Sequence, residues 1–277
     1  MFWVRLASGA ALVVLSFLFI YLGGPFMAVF VCLLSLEAFF EMGRALKLFE
    51  KKQNSLMITG YIGITAYYVF LALAENTTPV LMAGVLTVIA FLAVYVFTFP
   101  KYNAENVSGA IYAFVYAPVM LSFMVLTRYL ENGVYLVWMI YISAWGADTL
   151  AYCVGMLTGK TIGNHKMTPV LSPKKSIEGA VGGVLGAALL SWLYGKFVMT
   201  RVVDTANIEW ILALIGGVCG FISMIGDLAA SAVKRNKDVK DYGHCIPGHG
   251  GILDRFDSMI FTAPLTYFLS VLFFAAK

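Results

Sequence analysis

Apolar residues in this chain gather into nine long runs, at about residues 6–22, 26–42, 55–74, 80–99, 107–127, 133–157, 176–199, 207–232 and 252–275. A helix needs roughly 20 apolar residues to cross the hydrocarbon core of a bilayer. In lipid, backbone polar groups must satisfy one another, and a helix does this within a single segment. The pattern therefore predicts an all-α, polytopic integral membrane protein with about nine transmembrane helices. Turn-forming residues separate the runs at Gly23-Gly24-Pro25, Asn76-Thr77-Thr78-Pro79 and Pro100-Lys101-Tyr102-Asn103. The first run follows Arg5 but has no small-residue cleavage site before Gly23, so it reads as a retained helix rather than a signal peptide.

Composition and charge sharpen this picture. Of 277 residues, 61% are hydrophobic and 12% charged, against about 25% charged in ordinary soluble domains; the mean hydropathy is +0.85. Threading from a cytoplasmic N-terminus places all of the 19 Lys and Arg on the cytoplasmic side except Arg128, Lys196, Arg201 and Lys277. That asymmetry is the positive-inside pattern. It predicts a multi-pass protein of the cytoplasmic (inner) membrane with its C-terminus outside and loops 158–175 and 233–251 in the cytoplasm. Cys32, Cys153, Cys219 and Cys245 make no Cys-x-x-Cys pair, so no disulfide framework is indicated. His244, Cys245 and His249 lack a fourth ligand at zinc spacing.

Residues 1–130 read as a transmembrane scaffold and residues 131–277 as the region that holds the chemistry. Glu37 and Glu41 stand i, i+4 near the cytoplasmic end of the second run, where interfacial solvation accounts for them more simply than a polar cavity. Gly179, Gly182, Gly183 and Gly186, then Gly216, Gly217 and Gly220, crowd the seventh and eighth runs. Small residues at such spacing let helix backbones approach closely in lipid, within a subunit or between subunits.

Carboxylates inside a membrane need a reason. Asp148, Asp227, Asp254 and Asp257 all fall within or at the start of apolar runs, and a charge at the bilayer centre costs at least about 2.5–3.5 kcal/mol. Asp254 and Asp257, three apart, share one face of a helix's first turn, where negative charge is favoured. Several carboxylates side by side repel unless a cation sits between them, and hard oxygen ligands suit Mg²⁺ together with substrate phosphates. A divalent-metal site is the favoured reading, and an ion or proton pathway the alternative. The complementary charge is near by in sequence. Lys174 and Lys175 precede a helix, and Lys234, Arg235, Lys237 and Lys240 lie just ahead of Pro247, Gly248, Gly250 and Gly251, whose loop and following helix start suit an oxyanion.

The run from Ser231 to Asp257, SAVKRNKDVKDYGHCIPGHGGILDRFD, resembles the signature of the phosphatidate cytidylyltransferase (CDP-diacylglycerol synthase) family. Asp148-Thr149-Leu150-Ala151-Tyr152 and Ser172-Pro173-Lys174-Lys175-Ser176-Ile177-Glu178-Gly179 fit as well, with Ser176 where Thr is more usual. The resemblance implies that CTP and phosphatidate give CDP-diacylglycerol and pyrophosphate, with Mg²⁺ required in a two-metal centre, in a homodimer that needs the lipid bilayer and no nucleic acid. It implies Asp227, Asp254 and Asp257 as metal ligands. Lys174, Lys175, Lys234, Arg235, Lys240, Arg255 and His249 would meet phosphates, with Lys175 and His249 joining the three aspartates as the catalytic set. Asp148, Glu178 and Asp241 rank second, as groups that hold lysines or line a wet pocket. A phosphate monoester is already ionised near neutral pH, so no strong general base is needed.

Two rivals remain at this level. One is another nucleotide–lipid enzyme, a CDP-alcohol phosphotransferase or a CTP-dependent lipid kinase; the former would carry Asp-Gly-x-x-Ala-Arg, which is absent from the chain. A secondary transporter with ion-carrying aspartates would often show inverted repeats and midplane helix breaks, and no repeat is visible.

Overall fold

The computed structural model describes residues 2–49, 54–73, 76–161, 163, 165–246 and 250–275. Every predicted run is helical. The helices are α1 (Phe2–Leu22), α2 (Gly24–Ala45), α3 (Ser55–Leu73), α4 (Thr78–Phe97), α5 (Ala104–Phe114), α6 (Met120–Tyr129) and α7 (Gly133–Thr161). They are followed by strands β1 (Lys166–Thr168) and β2 (Ser172–Ser176), then α8 (Ile177–Phe197), α9 (Ile208–Asn236) and α10 (Leu253–Ser270). The fifth run is shared by α5 and α6 around a π turn, Val115–Val119, that holds Pro118. Proline has no N–H to give, and a widened turn absorbs the missing bond. Among the described residues, eight helical segments are long and apolar enough to cross a membrane, and Gly9–Leu22 is a shorter apolar helix.

Two loops differ from expectation. The stretch 158–175 is not a bare loop: α7 extends to Thr161, and β1 and β2 pair antiparallel with Lys166 opposite Ser176 and Thr168 opposite Ser172. The stretch 233–251 begins later than predicted, because α9 continues to Asn236. Lys234 and Arg235 in its last turn are favourable there, since cations complement the negative end of a helix.

The chain forms two compact units, Met1–Val125 with Lys237–Arg255, and Leu126–Asn236 with Phe256–Lys277. The 237–255 segment, grouped by sequence with the second half, thus packs with the first unit. That unit buries Phe39, Leu56, Ile64, Phe91 and Phe114. It also buries a polar network in which Tyr68 bonds Ser35 at 2.8 Å and the Pro118 carbonyl at 2.9 Å, while Tyr67 bonds Ser122. The second unit centres on Leu136, Met139, Leu212, Ile215 and Cys219. Its glycines make the helix contacts that small residues allow: α8 lies so close to α7 that a Cβ on Gly183 would stand 2.8 Å from the Ala147 carbonyl oxygen.

Ser176 ends β2 and caps α8, its hydroxyl accepting the Gly179 N–H at 3.1 Å. Ser176→Ala is expected to destabilise the protein by about 1 kcal/mol, read as a lower melting temperature in detergent. An unchanged melting temperature would show that the bond contributes nothing.

Candidate active site

Four elements of the second unit, α7, β2, α8 and α9, line a cavity of about 380 Å³. α7 supplies Asp148 and Tyr152, β2 supplies Lys174, Lys175 and Ser176, and α9 supplies Asp227. The small residues Ala151, Gly155, Gly179 and Ala180 line it too and leave the space open. Lys175 Nζ lies 2.5 Å from Asp227 Oδ2, with the two side chains 24% and 30% exposed. Asp227 is nine residues from the end of α9, about 13 Å along the helix, so this ion pair sits well inside the span, with Lys175 Nζ itself buried.

A second tier of carboxylates stands behind the pair. Asp148 Oδ2 accepts from Ser258 Oγ at 3.2 Å. Asp257 Oδ1 accepts the Ser258 N–H at 2.8 Å. Asp148, Asp227 and Asp257 interact electrostatically, with Lys175 acting on Asp148 and Lys234 on Asp257. Carboxylates from α7, α9 and α10 therefore share one field with two lysines in it. Among the described residues, no three Asp, Glu, His or Cys side chains stand close enough together to ligate one ion.

Other predicted residues lie in the first unit. Asp254 Oδ2 accepts the N–H groups of Tyr242 at 2.8 Å and Gly251 at 3.0 Å. Glu41 accepts those of Ile252 and Leu253. Two expectations change here. Glu41 is fully buried rather than solvated at an interface. The amides at the start of α10 are not an open oxyanion cradle, because the protein's own carboxylates occupy them. Lys240, Asp241 and Arg255 are exposed in this segment. Burial, reinforced by Glu37 and Glu41, pushes the Cys245 thiol up from its ordinary value, which disfavours a thiolate metal ligand. His249 falls outside the described residues.

In the second unit, Lys234 is half-buried and Arg235 exposed in the last turn of α9. Glu178, expected to hold a lysine, instead binds His165: the ring Nδ1 lies 2.5 Å from Oε1, and the backbone N–H of His165 reaches the same carboxylate. Since Ile177 N–H also bonds the His165 carbonyl at 2.9 Å, this pair ties the lead-in to β1 onto the start of α8.

Sequence reasoning missed Tyr152 as a lining residue and Ser258 as the partner of Asp148. Tyr152 stands in the 148–152 motif, which by itself assigns it no role. Ser258 carried one signal, its place next to Asp257.

Residues 3–273 match the model of the cytidylyltransferase family. Phosphatidate cytidylyltransferase of Bacillus subtilis (strain 168) is 31% identical over 279 residues, covering 97% of this chain and 97% of that protein. The protein of the same name from Staphylococcus epidermidis is 33% identical over 265 residues, covering 95% and 96%. That from Staphylococcus saprophyticus is 39% identical over 155 residues, 56% of each chain.

Proposed function

This chain belongs to the cytidylyltransferase family, and we propose that it transfers a cytidylyl group from CTP to phosphatidate, giving CDP-diacylglycerol and pyrophosphate. The observation that carries the reading is the cavity in which Lys174 and Lys175 face Asp148 and Asp227 within a lipid-embedded helical unit. Cationic nitrogens suit phosphate oxygens, and a site between membrane helices suits a lipid whose headgroup stays at the interface. The names of the relatives point to the same pair of substrates.

In this reading a phosphate oxygen of phosphatidate forms a bond to the α-phosphorus of CTP. The bond from that phosphorus to the β-bridging oxygen breaks, and its electron pair leaves with pyrophosphate. Such transfers ask mainly for positioning and charge neutralisation. Lys174 and Lys175 lie where they can hold phosphate oxygens, and Asp227 holds Lys175 in place until they arrive. Asp148, fixed by Ser258, keeps the inner wall polar. Mutually repelling hard oxygen donors are the kind that Mg²⁺ accepts, so the donor chemistry of this unit fits that ion. Within this unit Asp227 and Asp257 are the carboxylates that would hold it, with substrate phosphates completing its shell; the family resemblance names Asp254 as well. Bound there, it would supply charge neutralisation at the attacking and leaving oxygens.

The distribution of Lys and Arg supports a cytoplasmic mouth in the inner membrane. A homodimer is proposed on the family resemblance, and mass measurement of the detergent-solubilised protein tests it. The activity test uses purified protein, phosphatidate and Mg²⁺ with CTP labelled at the α- or the γ-phosphate. The α-label is expected in the chloroform-extractable lipid and the γ-label in water-soluble pyrophosphate, with chelation of Mg²⁺ stopping both. Absence of α-label from the lipid would overturn the proposal, and γ-label in the lipid would replace it with a kinase.

A further inference from the structure

Glu41 is an unexpected carboxylate to find fully buried. It lies near the end of α2, and its two oxygens accept the N–H groups of Ile252 at 3.1 Å and Leu253 at 2.9 Å. The first amides of a helix have no partner within that helix, and a carboxyl group with two acceptor oxygens meets two of them at once. The surrounding backbone is shaped to admit it: a Cβ on Gly243 or on Gly251 would collide with the Glu41 carboxylate.

One turn further along α2, Arg44 donates to the Tyr242 carbonyl at 2.5 Å. Tyr242 and Gly251 in turn give their own N–H groups to Asp254. The segment from Tyr242 to Leu253 is thus gripped at both ends by one helix, through a guanidinium at the first end and a carboxyl group at the second. Its two ends are also stitched together by Asp254.

We infer that Glu41, assisted by Arg44, is a positioning residue that fixes the start of α10 and hence the setting of Asp254. Nothing in the proposed chemistry uses Glu41 directly. It reaches Asp254 through the Gly251–Leu253 backbone, whose amides the two carboxylates share. A role in stability alone would lower the amount of folded enzyme and leave turnover per folded molecule unchanged. A positioning role lowers that turnover, because small displacements of reacting groups cost about 10²-fold in rate.

The activity part of this inference rests on the proposed cytidylyl transfer, and the test keeps the two apart. In the full chain purified in detergent, Glu41→Gln retains the size of the side chain but turns an NH₂ towards one of the two N–H donors. Tyr68→Phe is the comparison, since it removes a buried hydroxyl of the same unit that bonds Ser35 and Pro118 instead of the loop. Amide hydrogen exchange at 251–253 and turnover per folded molecule are both measured. Glu41→Gln is expected to speed exchange at Ile252 and Leu253 about tenfold and to lower kcat about 10- to 100-fold, with KM for CTP little changed. Tyr68→Phe is expected to lower the melting temperature without either effect. Arg44→Gln, which loosens the other end, is expected to show the same split and guards against a Glu41 variant that fails to insert.

Wild-type exchange at these amides in Glu41→Gln, or a loss of turnover that Tyr68→Phe matches, would overturn the inference. Should the unmodified protein transfer no cytidylyl group at all, the proposed activity falls, while the exchange rates still decide whether Glu41 fixes the loop.

Discussion

Asp227→Asn is expected to lower cytidylyl transfer by about 10²- to 10³-fold, the range seen when one preorganised charge-stabilising group is lost. The substitution keeps the shape of the side chain and removes its charge, so Lys175 Nζ, 2.5 Å away, loses its counter-ion. Breaking a fully buried pair costs about 3–5 kcal/mol. Here the two side chains keep 24% and 30% exposure, and although Lys175 Nζ is buried, Asp148 remains within its field to offset part of the orphaned charge. A stability loss of about 1–2 kcal/mol is therefore expected, too small to unfold the protein. A reversed pair, Lys175→Asp with Asp227→Lys, separates the two consequences. It is expected to regain the melting temperature and not the turnover, because the cavity then presents its charges to the wrong partners. Near wild-type turnover in the reversed pair would reduce Asp227 and Lys175 to a structural tie.

Gly183→Val is expected to be the most damaging single change for the second unit. An added Cβ would lie 2.8 Å from the Ala147 carbonyl oxygen and 2.9 Å from Ala151 Cβ. A backbone oxygen cannot swing aside as a side-chain tip can, so α7 and α8 must separate. Overpacking of this kind costs about 1–3 kcal/mol, and the two further γ-methyls of Val place it at the upper end. A fall in melting temperature of about 5–10 °C follows for a chain of this size. Turnover is expected to fall with it, since Ala147 and Ala151 flank Asp148 on α7. Gly217→Ala is the contrast: its Cβ would meet Ala188 Cβ at 3.4 Å, an ordinary contact, and near wild-type melting is expected. Equal melting temperatures for the two variants would show that the α7–α8 approach is not tight in solution.

Lipid makes helix existence readable, because it demands about 20 apolar residues per crossing; each of the nine runs accordingly became helix. Helix ends were harder. Lys234 and Arg235 look like loop residues by polarity, yet they close α9 because the end of a helix welcomes cations. The hairpin of β1 and β2 was hidden for a different reason: Lys166–Thr168 and Ser172–Ser176 are too short and too polar to show strand alternation. At the site, the residue types were visible and their pairings were not. Lys175 and Asp227 were both candidates, while their partnership depends on how α9 packs beside β2 and α8. Glu41 was misread because its neighbour Glu37 suggested a wet helix end, and its true partners lie 211 and 212 positions away.

That separation has a consequence for biosynthesis. Ribosomes add about 5–20 residues per second, so Glu41 is made about 10–40 s before the amides it will bind. Through that interval α2 can already be delivered to the bilayer with an acidic group whose N–H donors do not yet exist. The closing of the first unit must then wait for nearly the last segment to be translated. A ribosome stalled after α9 would leave behind a half-assembled chain in which Glu41 lacks both of these donors.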